Sequence, residues 1–160
     1  MSSSTSKKVV IRRFDREPLA GFVNQGTYLR AEGVELLTQT GTVSVVPYTE
    51  IKSVCFVRDF DSSEGGQSGQ LFHTRPKTEG LWVRMEFVDG DVMDGLLANN
   101  LLQLESSGFM VVPPSPTSNN QRIFIPKISL RDIRVVGVVG SPVVHRKKKP
   151  AREDQLEMFN

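Results

Sequence analysis

Cysteine occurs once and histidine twice among the 160 residues. A single thiol cannot form an internal disulfide, and no Cys/His cluster has zinc-ligand spacing, which excludes a stapled secreted scaffold and a zinc fold. Cys55, inside Ser53-Val54-Cys55-Phe56-Val57, reads as a buried strand residue. The only histidine outside the C-terminal tail is His73, in a Gly/Ser-rich stretch, so a histidine-based nucleophilic triad has no base to draw on. Asp59, Asp61 and Glu64 share that polar stretch and read as solvated loop charge. The glycines are scattered, and none forms a phosphate-cradling loop that opens a helix. Catalysis, a bound metal and a cofactor are therefore not expected. No apolar run is long enough to span a bilayer, and Met1 to Lys8 is serine and lysine where a signal peptide would be apolar. The expectation is a cytoplasmic protein without membrane contact.

Charge is present in quantity, but its excess is local. The chain holds 20 Lys and Arg against 18 Asp and Glu. Residues 142–160 contribute Arg146, Lys147, Lys148, Lys149 and Arg152 against Glu153, Asp154 and Glu157, leaving 15 of each sign before them. The body is formally neutral. The sequence pI of about 8.8 reflects the tail and does not make the body a nucleic-acid surface.

The body reads as one pattern used twice. Setting Val9 against Val83 pairs Ile11 with Met85, Asp15 with Asp89, Leu19 with Met93, Gly21 with Gly95 and Val23 with Leu97 without a gap. After small gaps, Gly33-Val34 matches Gly108-Phe109, Val45-Val46-Pro47 matches Phe124-Ile125-Pro126, and Ile51 and Val54 match Leu130 and Ile133. Within each copy the apolar residues alternate with period two, as in half-buried strands. Asp89-Gly90 signals a tight hairpin, with Asp15-Arg16-Glu17 its weaker counterpart. Gly21 and Gly95, in the returning strands, are expected to mark sharp bends. Strands three and four are placed at Gly33–Thr38 and Thr42–Val46, then at Gly108–Val112 and Arg122–Ile125. A proline, a one-turn segment and a last strand close each copy. The expected fold is all-β, two tandem small five-stranded, strongly bent barrels. The expected organisation is a disordered N-terminus at residues 1–7, a first unit at 8–58, a linker or long loop at 59–80, a second unit at 81–140 and a basic tail at 141–160.

This strand rhythm, with its Asp-Gly hairpin and a glycine directly after Asp94, is similar to the Sm-like fold. That resemblance implies small barrels and, in the family, RNA contacts from loops. The matching loops here read Asn24-Gln25-Gly26-Thr27-Tyr28 and Asn99-Asn100-Leu101-Leu102, and no Arg-Gly pair follows near Arg122, so uridine recognition of the Sm type does not carry over. The chain as a whole resembles a family of bacterial conserved hypothetical proteins, which implies a bacterial setting and no particular activity.

The tail holds the sharpest short signal. Lys147-Lys148-Lys149-Pro150 combines like charges with a helix-blocking proline and implies a basic tether. Beyond it, Gln155-Leu156-Glu157-Met158-Phe159 resembles the bacterial sliding-clamp-binding motif, Gln-Leu-x-Leu-Phe, with Met158 in place of the second leucine. The resemblance implies that Leu156, Met158 and Phe159 act as apolar anchors and Gln155 as a polar contact. The expected function is a non-enzymatic adaptor that docks on the DNA sliding clamp.

Two further binding readings concern the arginines. Arg12-Arg13-Phe14-Asp15-Arg16 resembles the first half of the PilZ cyclic-dinucleotide motif, whose guanidinium forks suit phosphate. The second half should supply Asp/Asn-x-Ser-x-x-Gly, and Tyr28 to Gly33 retains only the glycine. For DNA or RNA, Arg12, Arg13, Arg16, Arg30, Arg75 and Lys77 with Phe14, Tyr28 and Phe72 would offer phosphate contact plus base stacking, and Arg146, Lys147, Lys148 and Lys149 would add electrostatic attraction. Trp82 is expected to pack in a barrel or between the units. A ligand-free structural or oligomerising domain is the remaining reading.

Overall fold

The computed structural model describes residues 6–60, 71–72, 76, 78–114 and 120–140. Among them are ten strands: β1 (Ser6–Arg13), β2 (Leu19–Asn24), β3 (Gly33–Thr38), β4 (Val43–Pro47), β5 (Ile51–Val57), β6 (Gly80–Phe87), β7 (Val92–Leu97), β8 (Gly108–Val112), β9 (Asn120–Pro126) and β10 (Leu130–Val139). The only helices described are one-turn 3₁₀ segments at Tyr48–Glu50, Leu101–Gln103 and Lys127–Ser129. No helix among the described residues is long and apolar enough to cross a membrane.

The all-β class follows from the period-two patterning. In β6, Val83, Met85 and Phe87 are buried while Trp82, Arg84 and Glu86 between them are only half-buried. The Asp89-Gly90 hairpin closes with Gly90 at φ 97°, a left-handed conformation that glycine adopts without a Cβ clash. Its Phe87 amide donates to the Asp91 carbonyl at 2.8 Å. The connection is residues 88–91, against 14–18 in the first hairpin, so the glycine-containing turn is the shorter of the two.

The duplication extends to the details of pairing. Val9 lies opposite Gly21 as Val83 lies opposite Gly95, and Gly33 faces Pro47 as Gly108 faces Pro126. Ile11 pairs with Val54 and Met85 with Ile133, and each pair is followed by an irregularity before Arg13↔Ile51 in one half and beside Leu130↔Phe87 in the other. Pro47 and Pro126 sit at nearly equal angles, φ −62° and −61°, ahead of their 3₁₀ turns, as the pyrrolidine ring dictates. A Cβ on Gly33 would stand 2.0 Å from the Val46 carbonyl oxygen, and one on Gly108 would stand 2.2 Å from that of Ile125. Only glycine allows β3 and β8 to approach their partners so closely. Gly21 and Gly95 are also crowded, by the Leu37 carbonyl oxygen at 2.5 Å and the Val111 side chain at 2.9 Å.

Two separately closed barrels, however, are not what the strand pairing shows. The ten strands form one open antiparallel sheet in the order β10-β6-β7-β8-β9-β5-β1-β2-β3-β4. Each half has the same internal order, fifth strand, first, second, third, fourth. The physical reason for the continuity is that β5 is satisfied on both sides, by β1 of its own half and by β9 of the other. The apolar interior accordingly divides into two clusters that exchange residues at this seam. Phe124 of β9 belongs to the first, with Ile11, Val34, Val54 and Phe56, while Cys55 and Val57 of β5 belong to the second, with Met85, Phe87 and Ile123. Full burial of one phenylalanine contributes roughly 2–3 kcal/mol. Phe124 alone thus ties the halves together substantially. Most of the linker expected at residues 59–80, and the tail at 141–160, lie outside the described residues.

Candidate functional site

The seam between the halves is where the described polar groups converge. Lys52 is the second residue of β5 with its side chain 13% exposed, and its ammonium donates to Asp89 at 2.8 Å and to Asp91, both in the hairpin turn of the second half. The same ammonium stands 5.1 Å from the centroid of Phe87 and 5.9 Å from that of Phe14, within cation–π range of each ring. Burial alone would lower the lysine's pKa; the two carboxylates outweigh it and hold the value above the ordinary one. The backbone carbonyl of Lys52 also accepts from the Ser129 hydroxyl at 3.3 Å.

A cleft of about 430 Å³ is lined by residues of both halves. Its apolar side includes Leu96, Met110 and Val111, and its polar side Gln25, Glu105 and Arg122. Tyr28 stands at its edge but is buried, with its ring packed edge-on to Phe56 at 5.7 Å and Phe124 at 6.4 Å. Burial chiefly, with Glu105 adding to it, pushes the phenol's pKa upward. The Arg122 guanidinium lies 4.9 Å from the Phe56 centroid. Among the described residues no group of three or more His, Cys, Asp or Glu could hold a metal ion.

A second polar hub lies on β7. Asp94 has no exposed surface, and it accepts from Arg84 Nε at 2.7 Å, from Arg84 Nη2 at 3.0 Å, from the Trp82 indole at 3.0 Å and from the Phe72 amide at 3.0 Å. Desolvation would raise its pKa, but Arg84 and the other donors outweigh it and hold the carboxyl below the ordinary value. Phe72 meets Trp82 edge-on at 5.7 Å. Asp94 therefore pins the chain just ahead of β6 onto the second half. Trp82 is half-buried there and packs on Phe72, outside both apolar clusters.

The arginines singled out in the sequence do not form one open fork. Arg13 and Arg16 come together on Glu50, at 3.9 and 3.8 Å, and Arg13 also donates to the Glu17 carbonyl at 2.7 Å. Arg30 pairs instead with Glu35 at 3.0 Å. Arg12 runs inward, its Nε buried without a hydrogen-bond partner. It lies beside Cys55, whose thiol is pushed up by burial against the opposing pull of Ser53 and Arg12. Of the expected stacking rings, Tyr28 is consumed by the core, Phe72 by Trp82, and Phe14 faces Lys52. Arg75, Lys77, Arg146, Lys147, Lys148 and Lys149 lie outside the described residues, as do Gln155, Leu156, Met158 and Phe159.

Sequence reasoning passed over Lys52, Asp89, Asp91 and the hub at Asp94. The hub had a signal. Asp94 interrupts an apolar strand, and the register of the Asp89-Gly90 hairpin places it directly opposite Arg84. In the first half the equivalent positions are Val10 and Ala20, also directly opposed.

No curated protein and no solved structure matches the chain significantly. The seam, the hub and both repeated halves fall almost wholly within the 5–137 stretch covered by one family model, and the chain belongs to that family, the family of unknown function DUF6982.

Proposed function

We propose that this protein is a non-catalytic binding module: two Sm-like units share one sheet and carry a C-terminal peptide that docks on the bacterial DNA sliding clamp. The observation that carries the reading is the peptide Gln155-Leu156-Glu157-Met158-Phe159, placed in the sequence beyond the last described strand. The last described strand ends at Val139, and residues 140–154 separate it in the sequence from Gln155. Fifteen residues reach at most roughly 50 Å when extended, enough to carry the anchors well clear of the body. The Sm-like assignment of each half rests on its strand order, fifth-first-second-third-fourth, and on the glycine-mediated approach of third and fourth strands. The arrangement of carboxylates supports a scaffold. Asp94, Glu50, Asp89 and Asp91 all hold cations of the protein itself.

The test is a pull-down from bacterial lysate that compares the full-length chain with one ending at Pro150. Capture of the clamp by the first and not by the second is expected. Equal capture by both, or by neither, overturns the proposal. Cyclic-dinucleotide sensing through Arg12 and Arg16 is the competing reading. Calorimetry is expected to show no binding, because Arg16 shares Glu50 with Arg13.

A further inference from the structure

The duplication supplies an internal comparison for the cleft lined by both halves. Its counterpart in the first half is a depression of about 200 Å³ whose lining includes Phe22, Glu35, Leu37 and Val43. On the repeat these stand for Leu96, Met110, Val112 and Arg122 of the larger cleft. One scaffold thus carries two different surfaces. In the first half the lining holds a carboxylate, Glu35, already paired with Arg30 at 3.0 Å, and a valine stands where the cleft has its arginine. In the cleft the same positions give an apolar lining and a cation, and its volume of about 430 Å³ is that of a small-molecule site.

The charges of the cleft are not spent within the protein. Arg122 lies opposite Phe56 in the β5–β9 pairing, and the ring 4.9 Å from its guanidinium orients the fork without neutralising it. Glu105, exposed between the 3₁₀ turn at Leu101–Gln103 and β8, and Glu79, just ahead of β6, are the carboxylates of the lining. None of the three carries an ion pair among the described residues. Glu105 and Arg122 nevertheless act on one and the same hydroxyl. Beside the larger effect of burial, Glu105 raises and Arg122 lowers the pKa of Tyr28. For apolar contact the cleft offers Met110 and Val112, which are half-buried, and Leu104, which is 40% exposed.

We infer that this cleft binds a free α-amino acid with a large apolar side chain. The Arg122 guanidinium donates to the ligand's carboxylate, Glu105 accepts from its ammonium, and the side chain rests on Met110, Val112 and Leu104. A ligand of one sign fits less well. An anion alone brings a third negative charge beside Glu79 and Glu105, and a cation alone leaves Arg122 unpaired against apolar surface. The site belongs to the place where the halves adjoin, because Gln25 and Tyr28 reach it from the first half. The depression at Val43 lies on the outer strand β4, where no further strand adds a wall among the described residues.

This inference is independent of the C-terminal peptide, and the full chain tests it. Calorimetric titration with leucine, methionine and phenylalanine is expected to show saturable binding of at least one, and none of glycine, which has the charges without the side chain. The amide of the bound amino acid, which lacks the carboxylate, and the matching acid without its amino group should each bind at least about tenfold more weakly. Arg122→Met and Glu105→Gln should weaken binding of the amino acid by a similar factor with the far-ultraviolet circular dichroism unchanged. Glu35→Gln, in the first-half depression, should bind as the wild type does. Glu105 is exposed in a connection, so its variant keeps the fold whatever becomes of Arg122→Met. Failure of leucine, methionine and phenylalanine alike to bind overturns the proposal. So does an amide or a deaminated acid that binds as tightly as its parent, or a folded Arg122→Met or Glu105→Gln variant that keeps the wild-type affinity.

Discussion

Arg84 and Asp94 face each other across β6 and β7, the guanidinium clamping both carboxylate oxygens at 2.7 and 3.0 Å while the aspartate itself has no exposed surface. The pair sits on the sheet face that also carries Glu86, and Trp82 and the Phe72 amide complete its hydrogen bonds. A buried charge satisfied by four donated bonds is stable only while all the partners remain.

Replacing Asp94 should therefore cost more than a surface charge would. Asp94→Ala leaves the indole and the Phe72 amide without an acceptor and is expected to destabilise the fold by about 3–5 kcal/mol in urea unfolding. The pH dependence has a definite sign. Because the folded carboxyl titrates below its ordinary value, its stabilising contribution is complete above the unfolded pKa of about 3.9 and is lost as pH falls through the lower folded value. The stability gap between wild type and Asp94→Asn should then be constant from pH 5 to 7 and narrow in strongly acidic buffer. A gap that widens on acidification would contradict this account.

The clasp at the seam predicts a different profile. Lys52→Met keeps the length of the side chain and removes the charge shared by Asp89 and Asp91, at an expected cost of about 2 kcal/mol. The folded lysine titrates above its ordinary value, so the contribution is complete below the unfolded pKa of about 10.4 and fades as pH rises past it through the higher folded value. A double-mutant cycle with Asp89→Asn should show the losses to be less than additive. Full additivity would mean that the pair does not act as a unit.

The repeat makes a paired prediction. Alanine at Gly33 or at Gly108 forces a Cβ into a carbonyl oxygen 2.0 or 2.2 Å away, and each substitution should destabilise by roughly 3 kcal/mol or more. Gly41→Ala is the contrast. Its φ is 96° but nothing lies within 4 Å, so only the backbone strain of about 1 kcal/mol applies. Thermal melts that rank Gly41→Ala with the other two would argue against the crowding.

These elements differ in how legible they were before the structure. Strand positions were readable because Val83, Met85 and Phe87 alternate with polar neighbours, and β3 and β8 begin and end at the residues the pattern marks. The repeat was readable because glycines and prolines recur at steric bottlenecks, where few other residues fit. The seam was not. Val54 and Phe124 lie far apart in the chain, and pairing between distant strands leaves no periodic trace in either one. The arginines misled for a related reason. Arg16 reads as a free cation beside Arg12 and Arg13, yet its partner is Glu50, brought in by a 3₁₀ turn on the far side of three strands.

The last prediction concerns the docking peptide. If Leu156, Met158 and Phe159 are the anchors, a peptide of residues 152–160 should bind the sliding clamp unaided, at the roughly micromolar affinity, about −8 kcal/mol, of a short motif. Most of that energy resides in a few buried side chains, so Phe159→Ala should weaken binding by about 2 kcal/mol, some thirtyfold. Replacing Lys147, Lys148 and Lys149 in the full chain should act differently. Their attraction is long-range and screened, so the loss should be visible at low ionic strength and disappear as salt is raised, while the Phe159→Ala deficit persists at every salt concentration. Calorimetric titrations at two ionic strengths separate the effects. Binding that is indifferent to Phe159→Ala would remove the anchor mechanism altogether, whatever the lysines do.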